Sequence, residues 1–134
     1  MNEKTLAIIK PDAVKKKIVG KIIQRIEDEG FKICRLRMAH LTLDEAKGFY
    51  IVHKDKKFYA SLTEFMSSGP AVLMVLEGDD AINHWREVMG ATDPALAKPG
   101  TLRHTYGFSI ERNATHGSDA RETAEWEIKY FFPS

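Results

Sequence analysis

Residues 71–76 read Ala-Val-Leu-Met-Val-Leu, six apolar residues without a polar break. A short run of this kind, bounded by Gly69-Pro70 before it and Glu77-Gly78 after it, has the pattern of a strand at the centre of a sheet. Thr5 to Ile9 is a second compact apolar run, ended by Lys10-Pro11-Asp12, and reads as another buried strand. Two such strands far apart in the chain constrain the fold strongly. Whatever lies between them must bring them into one sheet.

The intervening sequence is rich in helix signals. Val14, Ile18, Ile22 and Ile26 recur every four residues with Val19 and Ile23 beside them, which predicts one amphipathic helix from Val14 to Gly30. Lys15, Lys16 and Lys17 fall in its first turns and read as a solvated face. Phe31 to Leu41 reads as a strand, in which Cys34, Leu36 and Met38 alternate with Arg35 and Arg37 so that one face is wet. Thr42-Leu43-Asp44-Glu45 is a capping box that opens a helix through Phe49 and Tyr50. Phe58, Leu62, Phe65 and Met66 mark the apolar face of a further helix. After the central run, Ile82, Trp85 and Met89 give a short helix closed by Gly90.

From Ala91 to Arg112 no periodicity is evident, and loops longer than about 12–15 residues in compact domains tend to be functional or disordered. Arg103, Tyr106 and Phe108 favour function. A short strand over residues 113–116 follows. A last helix runs through Ile128, opened by Ser118-Asp119, with Asp119 and Glu122 at capping-box spacing. With no repeat and no linker, residues 1–134 read as a single domain. Taking the two middle helices as one connection, the order is β-α-β-β-α-β. That is an α+β, ferredoxin-like arrangement: a four-stranded antiparallel sheet with helices on one face and a long loop before the last strand.

Composition excludes several functions. With 134 residues, 43% of them hydrophobic, the chain buries a core without staples. Lys and Arg (20) nearly balance Asp and Glu (19), and a net charge of +1 gives no general attraction to nucleic acid or acidic membranes. Any basic site is local. Cys34 is the single cysteine, and the five histidines are scattered, so no zinc site is spelled out. The short N-terminal apolar run does not resemble a signal peptide, and no stretch has membrane-spanning length. Asn113-Ala114-Thr115 fits a glycosylation acceptor by chance, and the chain is placed in the cytoplasm.

Gly20-Lys21 is followed by Ile22, and no glycine-rich phosphate cradle exists. A phosphate would have to be held by Arg and Lys side chains and helix N-termini. The informative segment is Asn113-Ala114-Thr115-His116-Gly117-Ser118-Asp119. It sets a histidine at a strand end, then a glycine that leaves space and allows a sharp turn, then two capping residues. A histidine of ordinary pKa, about 6.5, carries a free nitrogen lone pair at neutral pH and can act as nucleophile.

That segment resembles the active-site signature of nucleoside diphosphate kinases. Further matching motifs are Ile9-Lys10-Pro11-Asp12, Tyr50 and Phe58, Ser68-Gly69-Pro70, Thr92-Asp93-Pro94, Lys98-Pro99-Gly100-Thr101 with Arg103, and the helix of Ala124-Glu125-x-Glu127-Ile128. The resemblance covers essentially the whole chain and is closest to the short, bacterial type. It implies transfer of a terminal phosphoryl group between nucleotides by a ping-pong route through phosphorylated His116, with broad base tolerance. It further implies that Glu127 orients His116, with Ser118 supporting both and Tyr50 beside the transfer site. Arg86, Arg103 and Thr92 would hold phosphates. Lys10 would reach the sugar hydroxyl and the transferred phosphate, and Asn113 the sugar. Phe58 would stack on the base, with Leu62 and Ile110 lining the slot. Mg2+ would arrive on the nucleotide phosphates, and the chain would form a homo-oligomer, a tetramer or hexamer built from dimers.

The chain departs from many members at His104-Thr105 and at Glu111, positions that bear on loop packing and subunit contacts. Two rival readings are a ferredoxin-like RNA-binding module and a family member without catalysis. Base-stacking modules carry aromatics on their strands, and Thr5–Ile9 and Ala71–Leu76 have none. The full set of His116, Glu127, Arg86, Arg103 and Lys10 speaks against the second.

Overall fold

The computed structural model describes residues 2–133. The chain runs β1 (Asn2–Ile9), α1 (Pro11–Lys15), α2 (Val19–Asp28), β2 (Lys32–Ala39), α3 (Leu43–Phe49), α4 (Tyr59–Met66), β3 (Ala71–Asp79), α5 (Ala81–Met89), α6 (Leu102–Tyr106), β4 (Thr115–Gly117) and α7 (Arg121–Phe131). Single 3-10 turns lie at Ile51–His53 and Pro94–Leu96. The strands form one antiparallel sheet in the order β2-β3-β1-β4, which is the ferredoxin-like order. The two apolar runs are its central strands, with Thr5 opposite Leu76 and Ile9 opposite Val72.

Helices cover both faces of this sheet, not one. Ala7, Ile9, Val72, Met74 and Leu76 pack with Ile22 and Ile26 of α2 and Trp85 and Met89 of α5. Leu6, Ile8, Leu73 and Val75 point the other way and pack with Phe49 of α3, Phe65 and Met66 of α4, and Phe131 of α7. Successive side chains of a strand alternate faces, so continuous apolar runs in β1 and β3 require both layers. Among the described residues no helix is long and apolar enough to cross a membrane.

The predicted helix from Val14 to Gly30 is two helices. Pro11 starts α1 at its first position, where its missing N–H is no loss. Lys17 then adopts a left-handed φ of 62° and turns the chain before α2 begins. The apolar spacing survives because Ala13 and Ile18 both still enter the core. Lys15, Lys16 and Lys17 are exposed, as read from the sequence. The capping box at Thr42 forms as expected, with the Glu45 N–H donating to Thr42 Oγ1 and the Thr42 N–H to Glu45 Oε1.

In β2 the simple alternation fails. The register shifts between Ile33 and Arg35, so Ile33 and Leu36 stand opposite Leu76 and Met74 while Cys34 packs against the other layer. A bulge of this kind re-aims every side chain beyond it. Leu36 and Met38 end more than half exposed, and Arg35 and Arg37 lie over the Phe132 ring. Residues 91–112 hold the 3-10 turn and α6. His104 and Thr105 tie down this stretch, His104 Nδ1 lying 3.1 Å from the Ala97 carbonyl and Thr105 Oγ1 donating to Thr101 O.

The last strand begins at Thr115 instead of Asn113, because Ala114 holds a left-handed φ of 75°. The expected cap of α7 does not form either. Ala120 is its N-cap, with no side-chain bond, and Ser118 is engaged elsewhere. Phe58 is the N-cap residue of α4 and is 47% exposed, so it does not belong to the buried face of that helix.

Candidate active site

His116 lies in β4, opposite Ile8 of β1. Its Nε2 is 2.9 Å from Glu127 Oε1. The same oxygen accepts a 2.8 Å bond from Ser118 Oγ, which in turn accepts the Leu6 N–H. Glu127 belongs to α7 and Leu6 to β1, so helix, strand end and sheet centre meet at one imidazole. A carboxylate accepts only, so Nε2 carries the proton and Nδ1 keeps the lone pair. The Trp85 indole N–H donates to the His116 carbonyl at 3.1 Å. The rings of Phe49 and Tyr50 stand edge-on to the imidazole at 5.3 and 6.1 Å between centroids. The ring is held from behind, above and along the backbone.

Gly117 was expected to provide a turn and open space. It is an ordinary strand residue here, and its value is close packing. A Cβ there would lie 2.5 Å from Trp85 Cδ1 and 2.7 Å from Met89 Cε. Any side chain would displace the indole that holds the His116 carbonyl.

In front of His116 opens a cleft of about 630 Å3. Ten of the twelve expected site residues line it: Lys10, Tyr50, Phe58, Leu62, Arg86, Thr92, Arg103, Ile110, Asn113 and His116. Ser118 and Glu127 are buried behind the imidazole. Phe58, Leu62 and Ile110 form an apolar end. Lys10, Arg86 and Arg103 bring three cations into the cleft of a chain whose net charge is +1. A second hollow of about 810 Å3 shares Arg86, Thr92 and Arg103 with it but contains no histidine.

The cations are held by design of the fold. Arg103 on α6 donates to the carbonyls of Gly90 and Thr115, each at 3.0 Å, while its Nε is buried without a partner. Burial first, and the charge of Arg86 second, bring its guanidinium down to about 10. Gly90 closes α5 with a φ of 88° that a side chain would strain, and a Cβ there would meet Thr101. Lys10 follows β1 as the N-cap residue of α1 and is 5% exposed. Its Nζ donates to the Glu111 carbonyl at 2.8 Å and to Asn113 Oδ1 at 2.9 Å. Burial lowers its ammonium to about 8, opposed by Asp12 and Glu111 and assisted by Arg103. Asn113 completes the link by donating to the Thr92 carbonyl. Tyr50 is buried, and desolvation, with Glu127 adding to it and Arg103 opposing, raises its hydroxyl well above the ordinary value, so it remains a neutral phenol.

Sequence reasoning overlooked several contributors. Asp12 is 9% exposed and accepts the Ala114 N–H at 3.0 Å, which holds the left-handed residue two positions before His116. It lies in the Ile9-Lys10-Pro11-Asp12 motif, where the residues by themselves read only as the end of a strand. Trp85 and Phe49 read as core residues, and their second role at His116 has no mark in local spacing. Asp119 and His53 also line the cleft. Among the described residues no three His, Cys, Asp or Glu side chains come together so as to hold a metal ion.

The nucleoside diphosphate kinase family model matches residues 3–134. The chain is 56% identical to the nucleoside diphosphate kinase of Thiobacillus denitrificans over 132 residues, covering 98% of this chain and 93% of the relative. It is 55% identical to that of Desulfovibrio desulfuricans, covering 98% and 95%. Among solved structures, the Aquifex aeolicus nucleoside diphosphate kinase superposes with a TM-score of 0.97 at 45% identity, covering 98% of this chain and 96% of that one. That of Encephalitozoon cuniculi gives 0.95 at 36% identity, covering 98% and 90%. With a match along nearly its whole length, in sequence and in fold alike, the chain belongs to the nucleoside diphosphate kinase family of phosphotransferases.

Proposed function

We propose that this chain moves the terminal phosphoryl group of a nucleoside triphosphate to a nucleoside diphosphate through phosphorylated His116. The observation that carries this is the arrangement at one imidazole: Nε2 hydrogen-bonded to Glu127, Nδ1 left as the lone-pair nitrogen, and a cleft with Lys10, Arg86 and Arg103 in front. In the first half-reaction the Nδ1 lone pair attacks the terminal phosphorus. An N–P bond forms, the bond from phosphorus to the bridging oxygen breaks, and the nucleoside diphosphate leaves with that electron pair. The ring becomes cationic, and the Glu127 carboxylate at 2.9 Å favours that charge without taking the proton. In the second half a terminal oxygen of another diphosphate attacks the same phosphorus and the N–P bond breaks. Transfer of this kind needs position and charge neutralisation more than covalent machinery.

Arg86, Arg103 and Thr92 hold the phosphates, Lys10 the transferred group and the sugar hydroxyl, and Asn113 the sugar. Tyr50 stands beside the transfer site, and Ser118 fixes Glu127. The base lies on Phe58, between Leu62 and Ile110. Mg2+ would arrive on the nucleotide phosphates and neutralise part of their charge, for the described residues hold no carboxylate cluster that would cage it. The test is initial-rate kinetics with Mg-ATP as donor and the guanine, cytosine, uracil and thymine diphosphates as acceptors, and with Mg-GTP as donor for ADP. Parallel double-reciprocal lines are expected. Intersecting lines would mean direct transfer in a ternary complex and would remove His116 as carrier. All five common bases should serve, purines slightly better, because stacking is worth about 1–3 kcal/mol per base and reads no edge. Strong rejection of one base would overturn the stacking assignment.

The pH dependence follows from Lys10. Its ammonium, lowered to about 8, loses its charge as pH rises through that value, whereas an ordinary lysine holds it to about 10.4. With adenine nucleotides, kcat/KM should therefore fall above about pH 8, since that ratio reports the free enzyme. Bound phosphate favours the charged form, so kcat should fall only at higher pH. In Lys10→Arg the fall near 8 should vanish. A profile flat to pH 9.5 in the parent would contradict a role for Lys10.

We further propose a homo-oligomer built from dimers, a tetramer or hexamer. The support is that β2 is an edge strand of the sheet among the described residues, with Leu36 and Met38 on it 51% and 57% exposed.

A further inference from the structure

The walls of the apolar slot come from two segments far apart in the chain. Leu62 and Phe58 belong to α4 and its N-cap, while Ile110 lies between α6 and β4. Neither aromatic nor isoleucine is held by the core, for Phe58 is 47% and Ile110 61% exposed. The segment with Ile110 is an irregular turn. Its own bonds run from the Phe108 and Ser109 N–H groups to the Arg112 carbonyl, and from the Arg112 N–H to Ser109 Oγ. These bonds shape the turn but do not fasten it to α4.

Two contacts cross that gap. Ser61 Oγ donates to Glu111 Oε2 at 2.7 Å, and the Arg112 guanidinium lies 5.0 Å from the Phe65 ring centroid. Ser61 is the residue before Leu62, and Glu111 the residue after Ile110. The hydrogen bond thus joins the immediate neighbours of two facing slot residues. The backbone carbonyl of Glu111 also takes the Lys10 ammonium. One residue connects the apolar end of the cleft, through its side chain, to the cationic end, through its main chain.

We infer that Glu111 is a positioning residue for nucleotide binding: its carboxylate, held by Ser61, keeps the Ile110 turn at a set distance from Phe58 and Leu62 before the nucleotide arrives. This rests on the reading of the cleft as a nucleotide site. Without the tie the exposed turn samples wider arrangements, and binding must then order it, which weakens affinity without touching the reacting atoms. Glu111 and Ser61 act as one unit, so loss of either should equal loss of both.

The experiment is calorimetric binding of ADP to the full chain and four variants, with turnover at saturating nucleotide measured alongside near neutral pH. Glu111→Ala and Ser61→Ala should each weaken ADP binding about three- to tenfold, the loss expected of one partly exposed hydrogen bond to a charged group. The double variant should be no weaker than either single one. Glu111→Gln, whose amide oxygen accepts the same bond, should restore binding to within about twofold of the parent. Saturated turnover should stay within about twofold throughout. Unchanged binding in both alanine variants overturns the inference, as does tighter binding, which would mean that the carboxylate merely repels the phosphates. Turnover lost in step with affinity overturns it too, because a tether at the slot does not reach His116. ADP binding is read directly, so this result is independent of whether transfer proceeds through a phosphohistidine.

Discussion

His116→Ala should abolish the phosphorylated intermediate and lower nucleotide phosphotransfer by at least about 10^4-fold, the scale seen when a covalent nucleophile is removed. In the parent, Mg-ATP without an acceptor should add one phosphoryl group per chain. The adduct should be labile to acid and stable to alkali, as a P–N bond requires. The reason for so large an effect is structural. Among the described residues the cleft offers no other lone-pair nitrogen arranged as this one is, with its second nitrogen hydrogen-bonded to a buried carboxylate and its carbonyl held by Trp85. Lys10 is engaged by Glu111 and Asn113, and His53, the other cleft histidine, makes no comparable bond to a carboxylate. Alanine at 116 should keep the backbone bond from Trp85, so the protein should stay folded and still bind ADP. An adduct that persists in the variant, or one that never forms in the parent, would sink the mechanism.

Replacing Glu127 should slow the chemistry without loosening the nucleotide. Glu127→Gln keeps an oxygen for His116 and Ser118 but loses the negative charge that favours the cationic ring. Turnover should fall about tenfold. Glu127→Ala also frees the Ser118 hydroxyl and the Nε2 proton in a buried pocket, and the fall should reach about a hundredfold. These figures correspond to about 1.5–3 kcal/mol for hydrogen bonds to a charged group, at 1.36 kcal/mol per decade. The ADP dissociation constant should change less than about twofold, since Glu127 does not line the cleft. An equal loss of affinity would assign Glu127 to the nucleotide site or to the general packing of α7. The contrast with Glu111 is informative. One carboxylate should change rate at constant affinity, the other affinity at constant rate.

Some features of this protein were legible in its sequence because their causes are local. The continuous apolar runs of β1 and β3 can only be interior strands. Thr42 and Glu45 form their reciprocal cap within four residues. The signature around His116, spread over motifs in the right order, identified most of the cleft lining, and the structure gathers those residues into one hollow. Other features depend on residues far apart in the chain. The second helix layer follows from the alternation along β1 and β3, which the run itself hides. Lys17 breaks a helix whose apolar spacing is unbroken, and the bulge between Ile33 and Arg35 turns Leu36 and Met38 to the solvent. Ser118 abandons the cap of α7 for Glu127 and Leu6, and Glu111 reaches Ser61 across 50 positions. A cap is worth about 1 kcal/mol. Buried packing and long-range hydrogen bonds outweigh that local preference, and they act between neighbours in space that no spacing along the chain records.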